Sequence, residues 1–213
     1  MIDIYTEPNF DPDTRPNLGP LKHLAGVWEG SVGQDTHPEA EGPVTEPYVE
    51  RWEFEVIDPQ TSGPQLFYGL RFHQHVTRPG EISAFHDQVG YLLWEPATKK
   101  IYMTISIPRG QTLLAAGTSE PNAIEWSVQA VEGDAGTGIV SNPFLEKHFR
   151  TTAFTLKITF NDDGTFSYDE TTVMKVDGLD QEFLHTDRNT LRLVEGPAAL
   201  NPAAIEAGKW SKR

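Results

Sequence analysis

The chain has 213 residues, seven histidines and no cysteine. Imidazole and carboxylate are therefore available for proton transfer and metal ligation, while thiolate chemistry and disulfides are excluded. In SAFHDQVGYLLWEP, residues 83 to 96, His86 and Asp87 stand side by side in an otherwise apolar run. Successive strand residues face opposite sides, so an inward His86 leaves Asp87 in solvent. Periodicity alone does not settle which face His86 takes.

His73 and His75, in FHQHV, share one strand face. A tight turn at RPGE would return the chain and bring His86 close to His73, giving three imidazoles able to hold Zn²⁺ or another borderline metal. Asp87 would lie too far round the strand to join them. The apolar face of this strand is the even-numbered one, Leu66, Tyr68, Leu70, Phe72 and Val76, which puts His73 and His75 outside with Arg71. A one-residue bulge at the turn would separate His86 from the pair and turn it inward.

His185 lies on the odd face of the last apolar stretch with Phe183, Leu191 and Leu193. It reads either as a core histidine satisfied by backbone or by Asp187, or as an axial iron ligand in an apolar pocket. His23, His37 and His148 fall in turns or loops. No nucleotide loop and no Ser-His-Asp arrangement has supporting context.

The elements that must position these residues alternate with period two. ERWEFEV, LFYGLRFHQHV, IYMTISI, AIEWSVQAV and TTAFTLKITF each set one apolar face, NDDG marks a hairpin, and QEFLHTDRNTLRLV ends the series. Helical turns are expected only near Pro20 to Gly26, in NPFLEKHFR and around Ala203 to Ala207. The pattern predicts an all-β chain: a single closed, antiparallel, up-and-down barrel of eight to ten strands, since closure removes exposed edges. An extended arm over 1–18, a barrel over 19–195 and a tail over 196–213 are expected, with the Gly-rich VEGDAGTGIVSNP over a barrel mouth.

A net charge of −14 disfavours nucleic acid and anionic membrane as partners and leaves small molecules. The acidic, Pro-rich start has no signal-peptide pattern and no apolar run reaches 18 residues, so the expected location is cytoplasmic. A homodimer is left open.

LKHLAGVWEGSVG resembles the opening of the nitrobindin family, with Gly26, Trp28 and Gly30 matching, Gly33 one residue late and His37-Pro38 in place of Tyr-Pro. FHDQVGYLLWEP is similar to that family's His-x-Glu-x-Gly-Tyr-x-Arg segment in His86, Gly90 and Tyr91, with Gln88 and Leu93 as departures. IYMTISIPRGQTLLAAGT matches in Pro108, Gly110 and Gly117, and FLHTDRNTLRLV lies where the family carries its heme-ligating histidine. The late Gly33 points to a one-residue insertion.

The resemblance implies a fatty-acid-binding-protein-like barrel that binds heme b, takes nitric oxide and isomerises peroxynitrite to nitrate. His185 would be the iron ligand and His86 the catalytic histidine lining the pocket, with Trp28, Phe85, Met103, Ile105 and Met174 also against the cofactor. Two alternatives remain: a non-catalytic carrier of a fatty acid or other apolar acid, for which Arg109 and Arg150 are the candidate carboxylate partners, and a metal-dependent enzyme using His73, His75 and His86.

Overall fold

The computed structural model describes residues 3–210. Its first long strands are β1 (Gly26–Glu39) and β2 (Gly42–Val56), followed by the short β3 (Gln60–Ser62). Then come β4 (Gln65–Thr77), β5 (Ala84–Glu95), β6 (Lys100–Ile107), β7 (Gln111–Thr118), β8 (Glu125–Val131) and β9 (Gly138–Ser141). Helix α1 (Pro143–His148) leads into β10 (Phe149–Phe160), β11 (Phe166–Val176) and β12 (Phe183–Glu195), and α2 (Pro202–Trp210) ends the chain. Ten strands close an antiparallel barrel, because β12 pairs with β1 and β2 pairs with β4. Strands β3 and β9 are appended to β4 and β7.

The period-two faces position the core. Trp52, Phe54, Leu70, Phe72, Ile101, Met103, Trp126, Val128, Phe154, Leu156 and Ile158 all point inward and are nearly or fully buried. One end of the barrel is solid. A 3-10 turn over Gly19–His23 seats Leu18, Leu21 and Leu24 there at zero exposure, and Gly19, at φ +56°, lies so close to the Trp94 indole that a side chain would collide with it. Trp28 belongs to this end: its indole donates to the Leu24 carbonyl at 2.7 Å and meets Phe166 edge-on.

Two bulges decide which residues reach the other end. Pairing of β1 with β2 runs from Gly30↔Glu50 to Gly33↔Tyr48, so Ser31 and Val32 together oppose Val49. The extra residue moves the inward set from even to odd numbers, which turns Asp35 and His37 into the barrel and leaves Val32 exposed. In the second bulge, β4 pairs Val76 with His86 but Thr77 with Ala84, leaving Phe85 as the extra residue. His86 therefore shares the inner face with Gln88, Leu92 and Trp94, while His73, His75 and Asp87 are on the outer face.

Candidate functional site

Above the solid core a cavity of about 440 Å³ opens toward the second end of the barrel. Its floor is polar. The Glu50 carboxylate is buried and accepts from Trp52 Nε1 at 2.5 Å, Gln74 Nε2 at 2.6 Å, Asn189 Nδ2 at 2.7 Å and Tyr168 Oη at 3.0 Å. Burial pushes its pKa up and these donors oppose the rise. Tyr48 Oη, 2.6 Å from Tyr168 Oη, extends the network to the cavity surface.

One wall is apolar, built from Ile105 and Ile107 of β6, Leu113 of β7, Leu145 of α1, Phe149 and Phe154 of β10 and Met174 of β11. Leu145 and Phe149 occupy the position expected for the Gly-rich segment, no residue of which lines the cavity. Phe85, displaced by its bulge, lies at the wall with the Arg78 guanidinium 5.0 Å above its ring. Ile105, Met174, Phe85, His86 and His185 thus all line the cavity. Trp28 and Met103, expected against the same ligand, instead lie in the packed core, because the bottom of the barrel is filled.

The opposite wall is charged. Asp35 on β1, Asp187 on β12 and Glu170 on β11 stand directly across from one another on three neighbouring strands. His185 Nε2 lies 2.8 Å from Asp35 Oδ1 and 3.4 Å from Asp187 Oδ2, and His37 Nδ1 lies 2.9 Å from Asp35 Oδ2. Burial raises the pKa of Asp35, but the two imidazoles outweigh it and hold the carboxyl low. Burial works against the His185 cation, yet the Asp35 bond and the surrounding carboxylates raise its pKa above the ordinary imidazole value. The Glu170 carboxyl makes no hydrogen bond or ion pair among the described residues; enclosure in the cavity and the neighbouring Asp187 push it up to about 8. Burial, with the Asp35 and Glu50 carboxylates nearby, raises Asp187 to about 7 against the pull of His185.

His86 is the contrasting imidazole. Burial lowers its pKa and favours the neutral form, and among the described residues its imidazole makes one side-chain hydrogen bond, from Nε2 to Gln88 Oε1 at 3.2 Å. That bond makes Nε2 the protonated nitrogen and leaves the lone pair on Nδ1. Gln88 Nε2 is a buried donor without a partner beside it. On the outer face Asp87, not His86, joins the β4 pair, with Oδ2 2.8 Å from His73 Nε2 and 3.4 Å from His75 Nδ1. The proposed grouping of His73, His75 and His86 is therefore incorrect: Val76 pairs with His86 on the inside, and His75 with Asp87 on the outside.

Residues 17–192 match the family described as THAP4-like, heme-binding beta-barrel domain. The chain belongs to that family. It is heme-binding, and heme b is the usual heme in it, in keeping with the motifs around Trp28 and His86. No curated protein matches the chain. Among solved structures, Rv2717c from M. tuberculosis superposes with a TM-score of 0.57 at 21% identity, over 86% of this chain and 99% of that one, which shows the shared fold.

The cavity of this heme-binding barrel fits such a group by the chemistry of its donors. An apolar wall suits the macrocycle, and a neutral imidazole with a free lone pair suits the iron. The Arg109 guanidinium, which lines the cavity without an ion pair among the described residues, suits a carboxylate. The Asp35, Asp187 and Glu170 row carried no sequence signal beyond the late Gly33.

Proposed function

We propose that this chain binds heme b in the upper cavity through His86, and that the loaded protein would bind nitric oxide and isomerise peroxynitrite to nitrate. The observation that carries the axial role is the contrast between the two imidazoles. Ligation needs an unprotonated nitrogen; His86 offers Nδ1 with its tautomer held by Gln88, whereas Asp35 and Asp187 enclose His185 Nε2 and favour its cation. The proposal thus gives His86 the ligand role that the family resemblance implied for His185.

Bound heme supplies an open iron position for a small nitrogen oxide. The chain's own residues do the rest. Ile105, Leu113, Phe154 and Met174 would set an apolar surface against the bound group. Gln88 Nε2, which has no partner among the described residues, and the His185 imidazole, whose pKa is raised by Asp35, would be donors toward an anion of the size of peroxynitrite or nitrate. Isomerisation conserves atoms and protons, so none of these groups needs to be consumed.

A second reading has one observation in its favour: Arg109, in the turn between β6 and β7, lines the cavity beside its apolar wall, which suits a fatty acid or similar apolar acid. Arg150 does not serve, because it pairs outside with Glu132 and Glu146. Titration with hemin separates the two readings. Stoichiometric binding with a Soret band that is altered in His86→Ala supports the heme reading; no binding of hemin together with saturable binding of a fluorescent fatty acid supports the carrier.

A further inference from the structure

We propose that His73, His75 and Asp87 form a binding site for a single Zn²⁺ or similar first-row divalent cation on the outer face of the barrel, independent of the cavity. His73 and His75 are two residues apart on β4, so both project outward, and Asp87 is the direct cross-strand partner of His75 on β5. One ligand atom from each of His73, His75 and Asp87 lies within 4.8 Å of those of the other two. Bonds of about 2.0–2.2 Å at tetrahedral angles place donor atoms about 3.4 Å apart. The Asp87 to His75 separation is already 3.4 Å, and that to His73, at 2.8 Å, has only to open slightly.

The sheet fixes this arrangement. A pleated strand holds i and i+2 side chains on one face, and the ladder places Asp87 beside them, so most of the ordering entropy of three ligands is spent in folding rather than in binding. The three side chains are roughly 36–45% exposed, which leaves a fourth position open to water or to a further ligand. Glu53, the cross-strand partner of His73 on β2, is held by Arg51.

Two imidazoles and one carboxylate select among cations. Ca²⁺ and Mg²⁺ require more oxygen donors, whereas Zn²⁺, Co²⁺, Ni²⁺ and Cu²⁺ take this set. A chain of net charge −14 concentrates such cations near its surface. A second trio, Asp35, His185 and Asp187, is equally close but lies inside the cavity and serves as the control.

The test is calorimetric titration of the untagged chain with ZnCl₂, repeated with CoCl₂ followed by visible absorption. One cation per chain is expected, with the strong d–d bands of four-coordinate Co²⁺. Asp87→Asn should weaken binding more than ten-fold, and His73→Ala should abolish both the heat and the bands. Each is an outer-face change whose folding is checked by circular dichroism. His185→Ala should leave affinity and bands unchanged. Absence of stoichiometric binding would overturn the site, as would binding that survives His73→Ala and is lost in His185→Ala. Neither result depends on whether the cavity takes heme.

Discussion

Asp35 Oδ1 lies 2.8 Å from His185 Nε2, a bond that joins the first and last strands of the closed barrel inside its cavity. Its electrostatic setting predicts a stability profile. The raised His185 pKa contributes stability that is complete below about 6.5 and is lost as pH rises through the folded value. Glu170 and Asp187, raised to about 8 and about 7, retain protons that the unfolded chain has already released, so stability also falls as pH climbs from the ordinary carboxylate range to about 8. The lowered Asp35 acts oppositely, its contribution being lost only as pH falls through its folded pKa. The melting temperature should therefore be higher at pH 5.5 than at pH 8.5. A flat or rising profile over that interval would contradict the charged-wall description.

Glu170→Gln should separate the carboxylates from the rest. At pH 8.5 it removes a charge that its surroundings oppose, and a gain of a few degrees is expected, since about 1 kcal/mol moves the midpoint by about 2–4 °C in a chain of this size. At pH 5.5 the native carboxyl is already neutral and the change should be small. Equal effects at both pH values would show that packing, not charge, sets the result.

Glu50 should tolerate no replacement. Four buried donors converge on its carboxylate, and Glu50→Ala leaves them without an acceptor, at about 1–3 kcal/mol for each that finds no water. Urea unfolding should show a loss of about 3 kcal/mol or more. Glu50→Gln should also destabilise, because its amide nitrogen would face donors. A neutral outcome for both variants would mean that the cavity floor is hydrated.

Gly90→Ala tests a close approach between strands. A Cβ at Gly90 would fall 1.8 Å from the Thr104 carbonyl oxygen on β6, so backbone rather than a flexible side chain must move. The expected cost lies at or beyond the upper end of about 1–3 kcal/mol. A smaller loss would show that β5 and β6 part easily at this point.

The barrel and most strand faces were legible because runs such as ERWEFEV and IYMTISI keep a single parity, as Ile101, Met103 and Ile105 do on β6. Registers across strands were less accessible. The late Gly33 signalled an insertion, but only the pairing of β1 with β2 shows that it turns Asp35 and His37 inward, and only barrel closure sets Asp35 against Asp187. His185 was placed inward by its parity with Leu191. Its role depends on a carboxylate 150 positions earlier in the chain, which local patterning does not register. The same limit applies to Asp87: its partners lie across a hairpin whose bulge at Phe85 controls the faces.

The axial assignment makes one further prediction through Asp35. In the wild type, the hemin spectrum should depend on His86, with His86→Ala losing or strongly shifting the Soret band and His185→Ala retaining it. Asp35→Asn keeps an oxygen acceptor beside His185 but removes the negative charge that helps raise its pKa, so that imidazole should release its proton more readily. Two neutral imidazoles would then face one cavity. The Asp35→Asn complex should shift toward a six-coordinate, low-spin spectrum as pH rises from 6 to 8, and the shift should disappear in Asp35→Asn with His185→Ala. If instead His185→Ala alone abolishes hemin binding while His86→Ala keeps it, the ligand is His185 and its carboxylate partners act as the support that orients it.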